Sequence, residues 1–88
     1  MRTEEVEGRT FSVDDSVFKK WESFELVTCV SDESKTPFER VNAMFALVEL
    51  ATDLKKQDVI DIAGGADAEI EQVFAILAQI VAKAAPKN

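Results

Sequence analysis

Thr36-Pro37-Phe38-Glu39 is the clearest structural signal in the chain. A threonine followed three residues later by a glutamate is typical of a capping box, in which each side chain accepts a hydrogen bond from the other residue's amide. Pro37 stands at the first helical position, where its missing N–H costs nothing. The sequence therefore predicts a helix over 36–53. Its apolar residues cover more than one face, so we expect it to be central and packed on two sides.

Two more helices are predicted downstream of this one. The chain bends or restarts at Thr52-Asp53, and a short helix over 55–63 ends at Gly64-Gly65, a pair that favours a left-handed C-cap. Asp67 is predicted to cap a last helix over 67–85. Pro86 and the polar Lys87-Asn88 are predicted to end this helix. Apolar residues recur in that helix at steps of three and four, and Ile76 widens the stripe: Ile70, Val73, Phe74, Leu77, Ile80, Val81 and Ala84.

A small β-hairpin is predicted over 3–13, upstream of the helices. Val6, Phe11 and Val13 alternate with polar residues, and Glu7-Gly8 stands between the two halves. Two strands alone are marginal in water. The hairpin must therefore pack on the rest of the chain or pair through its edge with another copy or a partner.

A helix is predicted over 14–30, with several N-cap candidates around Asp14. Val17, Trp21 and Phe24 follow at helical spacing, and we expect this aromatic stripe to be buried, with a ligand surface as the alternative. Residues 24–30 are rich in β-branched side chains and are also compatible with a strand. No turn signal separates them from Trp21, which favours the helix.

The predicted fold class is mainly α: a compact bundle of about four helices with a short N-terminal β-hairpin, in a single domain over 1–88. Cys29 is the only cysteine and lies in an apolar run over 26–30, so it is predicted to be a small buried hydrophobe. A single cysteine cannot form an intramolecular disulfide.

The composition argues against catalysis. The chain has no histidine and no tyrosine, and the carboxylates of Asp53, Asp58 and Asp61 lack the spacing of a calcium loop. Gly64-Gly65 is too short to cradle a phosphate. No serine or cysteine is paired with an evident base. We therefore expect a protein that is not an enzyme and uses no cofactor or metal.

Charge and hydropathy bear on the partners. The net charge is −7 without a basic stripe, which argues against nucleic acid as a partner. The apolar stretches are far shorter than the roughly 20 residues that a membrane span needs. The N-terminus shows no signal-peptide pattern, so we expect a cytoplasmic protein with no membrane partner.

The run Arg9-Thr10-Phe11-Ser12-Val13-Asp14-Asp15-Ser16-Val17-Phe18-Lys19-Lys20-Trp21-Glu22 resembles the start of tail assembly chaperones of long-tailed bacteriophages and prophages. In that group an extended segment leads into a helix with a Trp-Glu pair, followed by Glu-Leu and small apolar residues. Trp21-Glu22 and the segment 24–27 stand at those places. The order of a polar loop, a helix near a proline, a short helix and a terminal helix is similar as well.

The resemblance implies a non-catalytic helical protein of the infected bacterial cytoplasm, absent from the mature virion. Its implied partners are the tape measure protein, which it keeps soluble, and the tail tube protein, and it can form a homo-oligomer. Related proteins are often made in two lengths by frameshifting. A-rich codons for Lys87-Asn88 would fit such an event, and a plain stop codon is the alternative.

The last helix offers a candidate contact surface for a partner or another copy. Val73, Ile76 and Ile80 stand at the edge of its apolar stripe and are predicted to bind the partner; the alternative is that they complete the intramolecular core. Two other functions stay open. One is a small acidic bacterial adaptor or regulatory domain, and the other is a carrier protein modified on Ser16, in Asp15-Ser16-Val17, or on Ser34.

Overall fold

A computed structural model describes residues 1–85, which form four α-helices and one two-stranded antiparallel sheet. The predicted fold class is confirmed. The predicted end of the last helix at Pro86 and the proposed frameshift position at Lys87-Asn88 lie outside the described residues. The elements in chain order are β1 (Arg2–Val6), β2 (Arg9–Val13), a 3₁₀ helix (Asp15–Lys19), α1 (Trp21–Ser31), α2 (Pro37–Ala51), α3 (Lys56–Ala63), a second 3₁₀ helix (Gly65–Asp67) and α4 (Ile70–Ala84).

The predicted hairpin and its turn are both confirmed. The strands pair from Arg2 opposite Val13 to Val6 opposite Arg9. The two residues between them have positive φ angles, 48° at Glu7 and 81° at Gly8. A two-residue turn of this kind matches the twist of the strands, and glycine adopts it without a steric penalty. One face of the hairpin is buried in the core through Val6, Phe11 and Val13.

The end of α2 covers part of the outer edge of β2. The amide of Asp14 donates to the carbonyl of Ala51 at 2.8 Å, and Val13 forms a bridge with Thr52. The amide of Ser12 donates to the carboxylate of Asp53 at 3.0 Å. These bonds satisfy donors that an isolated hairpin would leave open, so the hairpin packs on its own chain as expected.

The helix predicted over 14–30 is divided in two. Asp14 caps the first 3₁₀ helix, Lys20 is extended (φ −92°, ψ 148°), and α1 begins only at Trp21. This break shifts the helical phase, so the residues after it do not share the face of Val17, which is buried. The prediction of a buried aromatic stripe is therefore wrong for Trp21 and Phe24, which are 70% and 58% exposed.

Residues 24–30 are helical, in agreement with the helix interpretation and against the strand alternative. The buried residue of α1 is Ser23, whose hydroxyl donates to the carbonyl of Val17 at 2.7 Å. Cys29 is only partly buried, and its Sγ lies 3.9 Å from the carbonyl oxygen of Glu39. The expectation that Cys29 is fully buried is thus not met.

The predicted start of α2 is confirmed. The amide of Glu39 donates to the Thr36 hydroxyl at 3.2 Å, and the carboxylate of Glu39 lies 3.5 Å from the amide of Thr36. The helix packs against α1 on one side and α4 on the other, as its wide apolar surface predicted. After a short connection, α3 runs to Ala63 with Gly64 as its C-cap, and the positive φ angles of Gly64 and Gly65 (134° and 73°) turn the chain.

The last helix begins later than the sequence suggested. Asp67 belongs to the second 3₁₀ helix, and Glu69 is the N-cap residue of α4, so the prediction that Asp67 caps this helix is wrong. Gly64-Gly65 delays the start, because the chain needs the extra turn to leave α3. The acidic Glu71 lies in the first turn of α4, where the helix dipole favours negative charge.

The hairpin and α4 are joined at the C-terminal end of the helix. The guanidinium of Arg2 donates to three backbone carbonyls there, those of Lys83 (2.7 Å), Ala84 (2.8 Å) and Ala85 (3.1 Å). These carbonyls have no partner within the helix and carry the negative end of its dipole. Arg2 also bonds Asp15 through Nε at 2.9 Å. One side chain thus connects β1, the first 3₁₀ helix and α4.

Candidate protein-binding surface

Several large apolar side chains remain exposed on the surface of the molecule. Phe38 is 76% exposed and Ile70 is 74% exposed, in addition to Trp21 and Phe24. Single exposed apolar residues are ordinary, but clusters of them mark contact surfaces in small proteins. Here they form two groups. One is the α1 face, defined as Trp21, Phe24 and Val27, and the other surrounds a groove between α2 and α4.

The α2–α4 groove consists of two adjoining depressions, of about 380 Å³ and 280 Å³. Pro37, Val41 and Phe74 line both of them, so the two lie side by side. The larger one is completed mainly by apolar residues from α2, α3, α4 and the segment just before α4: Phe38, Phe45, Ile60, Ala68, Ile70 and Val73. The smaller one extends to Val30, Met44 and Ala78.

The local structure explains why these side chains are open. Phe38 lies in the first turn of α2 and Ile70 is the first residue of α4, so both stand at helix ends that no neighbouring element covers. Farther along α4, the inner face packs on the core. The exposed positions between 72 and 82 carry no charge: Gln72, Phe74, Ala75, Ala78, Gln79 and Ala82.

Two cations line the groove, and both have partners in the chain. Lys56 Nζ lies 5.4 Å from the centroid of the Phe45 ring, within the range of a cation–π interaction. Arg40 Nε donates to the carbonyl of Val30 at 2.9 Å and so ties the start of α2 to the end of α1. These contacts place the charged heads against groups of the groove wall and leave the lining otherwise apolar.

Acidic residues stand beside the groove at both ends. Glu69 and Glu71 flank Ile70 in the chain and are exposed, and Asp32 and Glu33 follow the end of α1 that carries Val30. The hydroxyl and the amide of Ser34 both donate to the Asp32 carboxylate and hold the pKa of that group below its usual range. Asp32 is therefore ionised at neutral pH. Lys35 and Arg40 lie near Asp32, and Lys56 lines the groove, so these four carboxylates exceed the nearby cations by one, in a chain of net charge −7.

The α1 face is flatter and more aromatic. The rings of Trp21 and Phe24 stack with their centroids 5.1 Å apart and an interplanar angle of 30°. An aromatic pair of this kind contributes about 0.5–1.5 kcal/mol beyond the area that it buries. Glu22 and Glu25, exposed on the same helix, keep charge close to the pair.

The structure places the predicted partner-binding residues in two different environments. Val73 is partly buried and lines the groove. Ile76 and Ile80 are 6% and 0% exposed and belong to the core, the position given by the alternative interpretation. Partner binding through Ile76 and Ile80 stays a prediction, and it would require the core to open.

The sequence did not single out Phe38 or Ile70 as contact residues. Both were counted among the apolar residues of predicted helices, where the helical period alone does not distinguish an inner from an outer position. One signal was available. The absence of charge on α4 between Glu71 and Lys83 indicated an apolar arc wider than one packing partner requires.

The groups considered for chemistry lie outside the groove. The hydroxyls of Ser16 and Ser34 donate to the carboxylates of Asp14 and Asp32, each at 2.6 Å. Within residues 1–85 no three His, Cys, Asp or Glu side chains are grouped in a way that could hold a metal ion. Over the same residues, no helix combines the length and apolar character that a membrane crossing needs.

Comparisons of the chain with protein-family models, with curated proteins and with solved structures gave no match in any of the three. What the protein does must therefore be inferred from its own surface and from the sequence resemblance given above.

Proposed function

We propose that this protein is a tail assembly chaperone of a long-tailed bacteriophage or prophage, which binds the tape measure protein and keeps it soluble while the tail tube assembles. The observation that carries the proposal is the apolar surface left open on so small a chain: the α2–α4 groove together with the α1 face. A chaperone for a long helical protein needs such a surface, and the charge of −7 keeps the complex in solution.

The size of the surface matters for this role. Burying one side chain such as Phe38 or Ile70 stabilises a complex by about 1.5–3 kcal/mol. Forming any complex costs at least about 4 kcal/mol in lost freedom of motion. A single exposed residue therefore cannot hold a partner, whereas the several residues around the groove can. In the complex with its partner, this apolar surface and the apolar surface of the partner would cover each other. A chaperone that keeps a partner soluble acts in this way.

Co-expression tests the proposal. The protein is produced in bacteria together with the long helical protein encoded next to it, and the soluble fraction of the long protein is measured. We expect that fraction to rise clearly, and the two chains to co-purify. The controls are the long protein alone and the long protein with an unrelated acidic helical protein of similar size. Equal solubility in all three cultures would contradict the proposed function.

A further inference from the structure

We infer that the α2–α4 groove binds one amphipathic α-helix of a partner protein, with basic residues beside the helix's apolar stripe. The inference rests on the proposed chaperone function and specifies where the partner binds and which chemistry it presents. Three observations lead to it: the course of the groove, the lack of charge on its α4 wall, and the carboxylates at its two ends.

The course of the groove suits a helix. Its α4 wall presents Ile70, Phe74 and Ala78 at four-residue steps along one face. At about 1.5 Å per residue these positions span roughly 12 Å, a little more than two turns of a bound helix. Helix-in-groove recognition uses anchors at such a spacing, with apolar residues at i, i+3 or i+4 and i+7.

The α4 wall of the groove costs little to dehydrate. The two cations that line it, Lys56 and Arg40, already contact the Phe45 ring and the carbonyl of Val30. The exposed face of α4 from 72 to 82 has no charged residue, and the small side chains Ala75 and Ala78 allow a second helix to come close. An apolar stripe that follows α4 therefore meets no charged group on that wall.

The charges around the groove select the occupant. Glu69 and Glu71 stand at one end, Asp32 and Glu33 follow the wall at the other, and the whole chain carries −7. A helix flanked by lysine or arginine meets charges of opposite sign, which favours binding and speeds the encounter. A second copy of this chain would bring the same acidic borders and the same net charge, so repulsion disfavours it as the occupant.

The experiment uses two synthetic amphipathic peptides of about 18 residues, roughly five helical turns. Both carry the same leucine stripe; one has lysines on its flanks and the other has glutamates. Binding to the full-length protein is measured by fluorescence anisotropy of the labelled peptide. We expect the lysine peptide to bind at least about tenfold more tightly than the glutamate peptide, and its binding to weaken as salt is raised.

Two matched double variants locate the site. Phe38→Gln with Ile70→Gln changes two exposed residues of the groove, and Trp21→Gln with Phe24→Gln changes two exposed residues of the α1 face. We expect the groove variant to lose about tenfold or more in affinity and the α1 variant to stay within about twofold. Amide shifts of the wild-type protein on peptide addition should be largest at Ile70, Phe74 and Ala78.

Several outcomes would overturn the inference: equal binding of both peptides, loss of binding in the α1 variant instead of the groove variant, or a wild-type dimer that the groove variant converts to monomer. Co-expression separates this inference from the proposed function. If wild type and groove variant solubilise the long neighbouring protein equally well, the groove is not the site and the chaperone function stands. If the lysine peptide fills the groove but wild type solubilises nothing, the function fails and the groove site stands.

Discussion

The hairpin side and the groove side of the molecule use the same kinds of residue in opposite ways. On the hairpin side, Phe11, Leu77 and Ile80 are sealed between the sheet and the C-terminal half of α4. On the groove side, Phe38 and Ile70 occupy the first turns of two helices and face water. The hydrophobic content of the chain is thus divided. One part holds the fold together, and the other is left over for contact.

The largest expected effect tests this division directly. Leu77→Ala removes a fully buried side chain from the core on the hairpin side and should lower the free energy of unfolding by about 3–5 kcal/mol. Ile70→Ala, the matched change on the groove side of the same helix, should stay within about 0.5 kcal/mol of wild type. Urea denaturation followed by far-UV circular dichroism measures both.

A similar loss for the two variants would mean that Ile70 is covered in solution, and that the groove side belongs to the core. A domain of this size is stable by only about 5–10 kcal/mol. Leu77→Ala should therefore be close to unfolding in mild denaturant, while Ile70→Ala keeps the wild-type midpoint.

The Arg2 contacts give the next effect. Arg2→Ala removes the side chain that bonds the last carbonyls of α4 and the carboxylate of Asp15. We expect a lower urea midpoint and faster amide hydrogen exchange in the last turn of α4, because those carbonyls lose their partner. Arg9→Ala is the control, since Arg9 pairs with Asp58 at 3.3 Å on the opposite end of the hairpin. An equal midpoint for the two variants would show that the Arg2 contacts do not fasten the hairpin to α4.

Local signals account for what the sequence predicted well. The capping box at Thr36, the turn at Glu7-Gly8 and the stop at Gly64-Gly65 each depend on a few neighbouring residues, and the structure confirms all three. The fold class follows from them, because the connections are short and the apolar periods are regular. These features can be placed without knowing which residues far apart in the chain contact each other.

The burial of the aromatic residues could not be predicted in the same way. A single extended residue, Lys20, separates the first 3₁₀ helix from α1 and turns Trp21 and Phe24 outward. No composition signal marks Lys20. The groove is lined by residues of α2, α3 and α4 that are far apart in the chain, so it is a property of the assembled fold. Sequence periodicity indicated surplus apolar surface and did not show which residues form it.

A smaller effect is expected at the start of α2, which forms one wall of the groove. Thr36→Ala removes the hydroxyl that accepts from the amide of Glu39 and should cost about 1 kcal/mol. Thr28→Ala is the matched control in α1, where the hydroxyl only donates back to the carbonyl of Phe24 and alanine is the better helix former. Chemical denaturation compares them. A loss for Thr28→Ala as large as for Thr36→Ala would contradict the importance of the cap.

The smallest effect is a pH dependence of stability that comes from Asp32, in the loop after α1. The Ser34 hydroxyl and amide lower the pKa of the folded Asp32 carboxyl below its unfolded value of about 3.9. Because the folded pKa is the lower one, the ionised carboxylate stabilises the fold fully at pH values above the unfolded pKa. This stabilisation is lost as pH falls through the folded pKa. Asp32→Asn keeps an acceptor oxygen but cannot ionise. Wild type should therefore exceed it in stability at pH 7, and the gap should close below about pH 3.9.

Taking the difference between the two proteins cancels the titration of the carboxylates that they share, including Asp14 and Asp58, whose pKa values are also lowered. Glu33→Gln is the control, because it removes the same charge from the neighbouring residue and leaves the Ser34 hydrogen bonds in place. A gap between wild type and Asp32→Asn that stays constant from pH 7 to strongly acidic solution would show that the charge does not matter. The acidic border near Val30 would then affect only the partner, and the loop after α1 would be held by its hydrogen bonds regardless of ionisation.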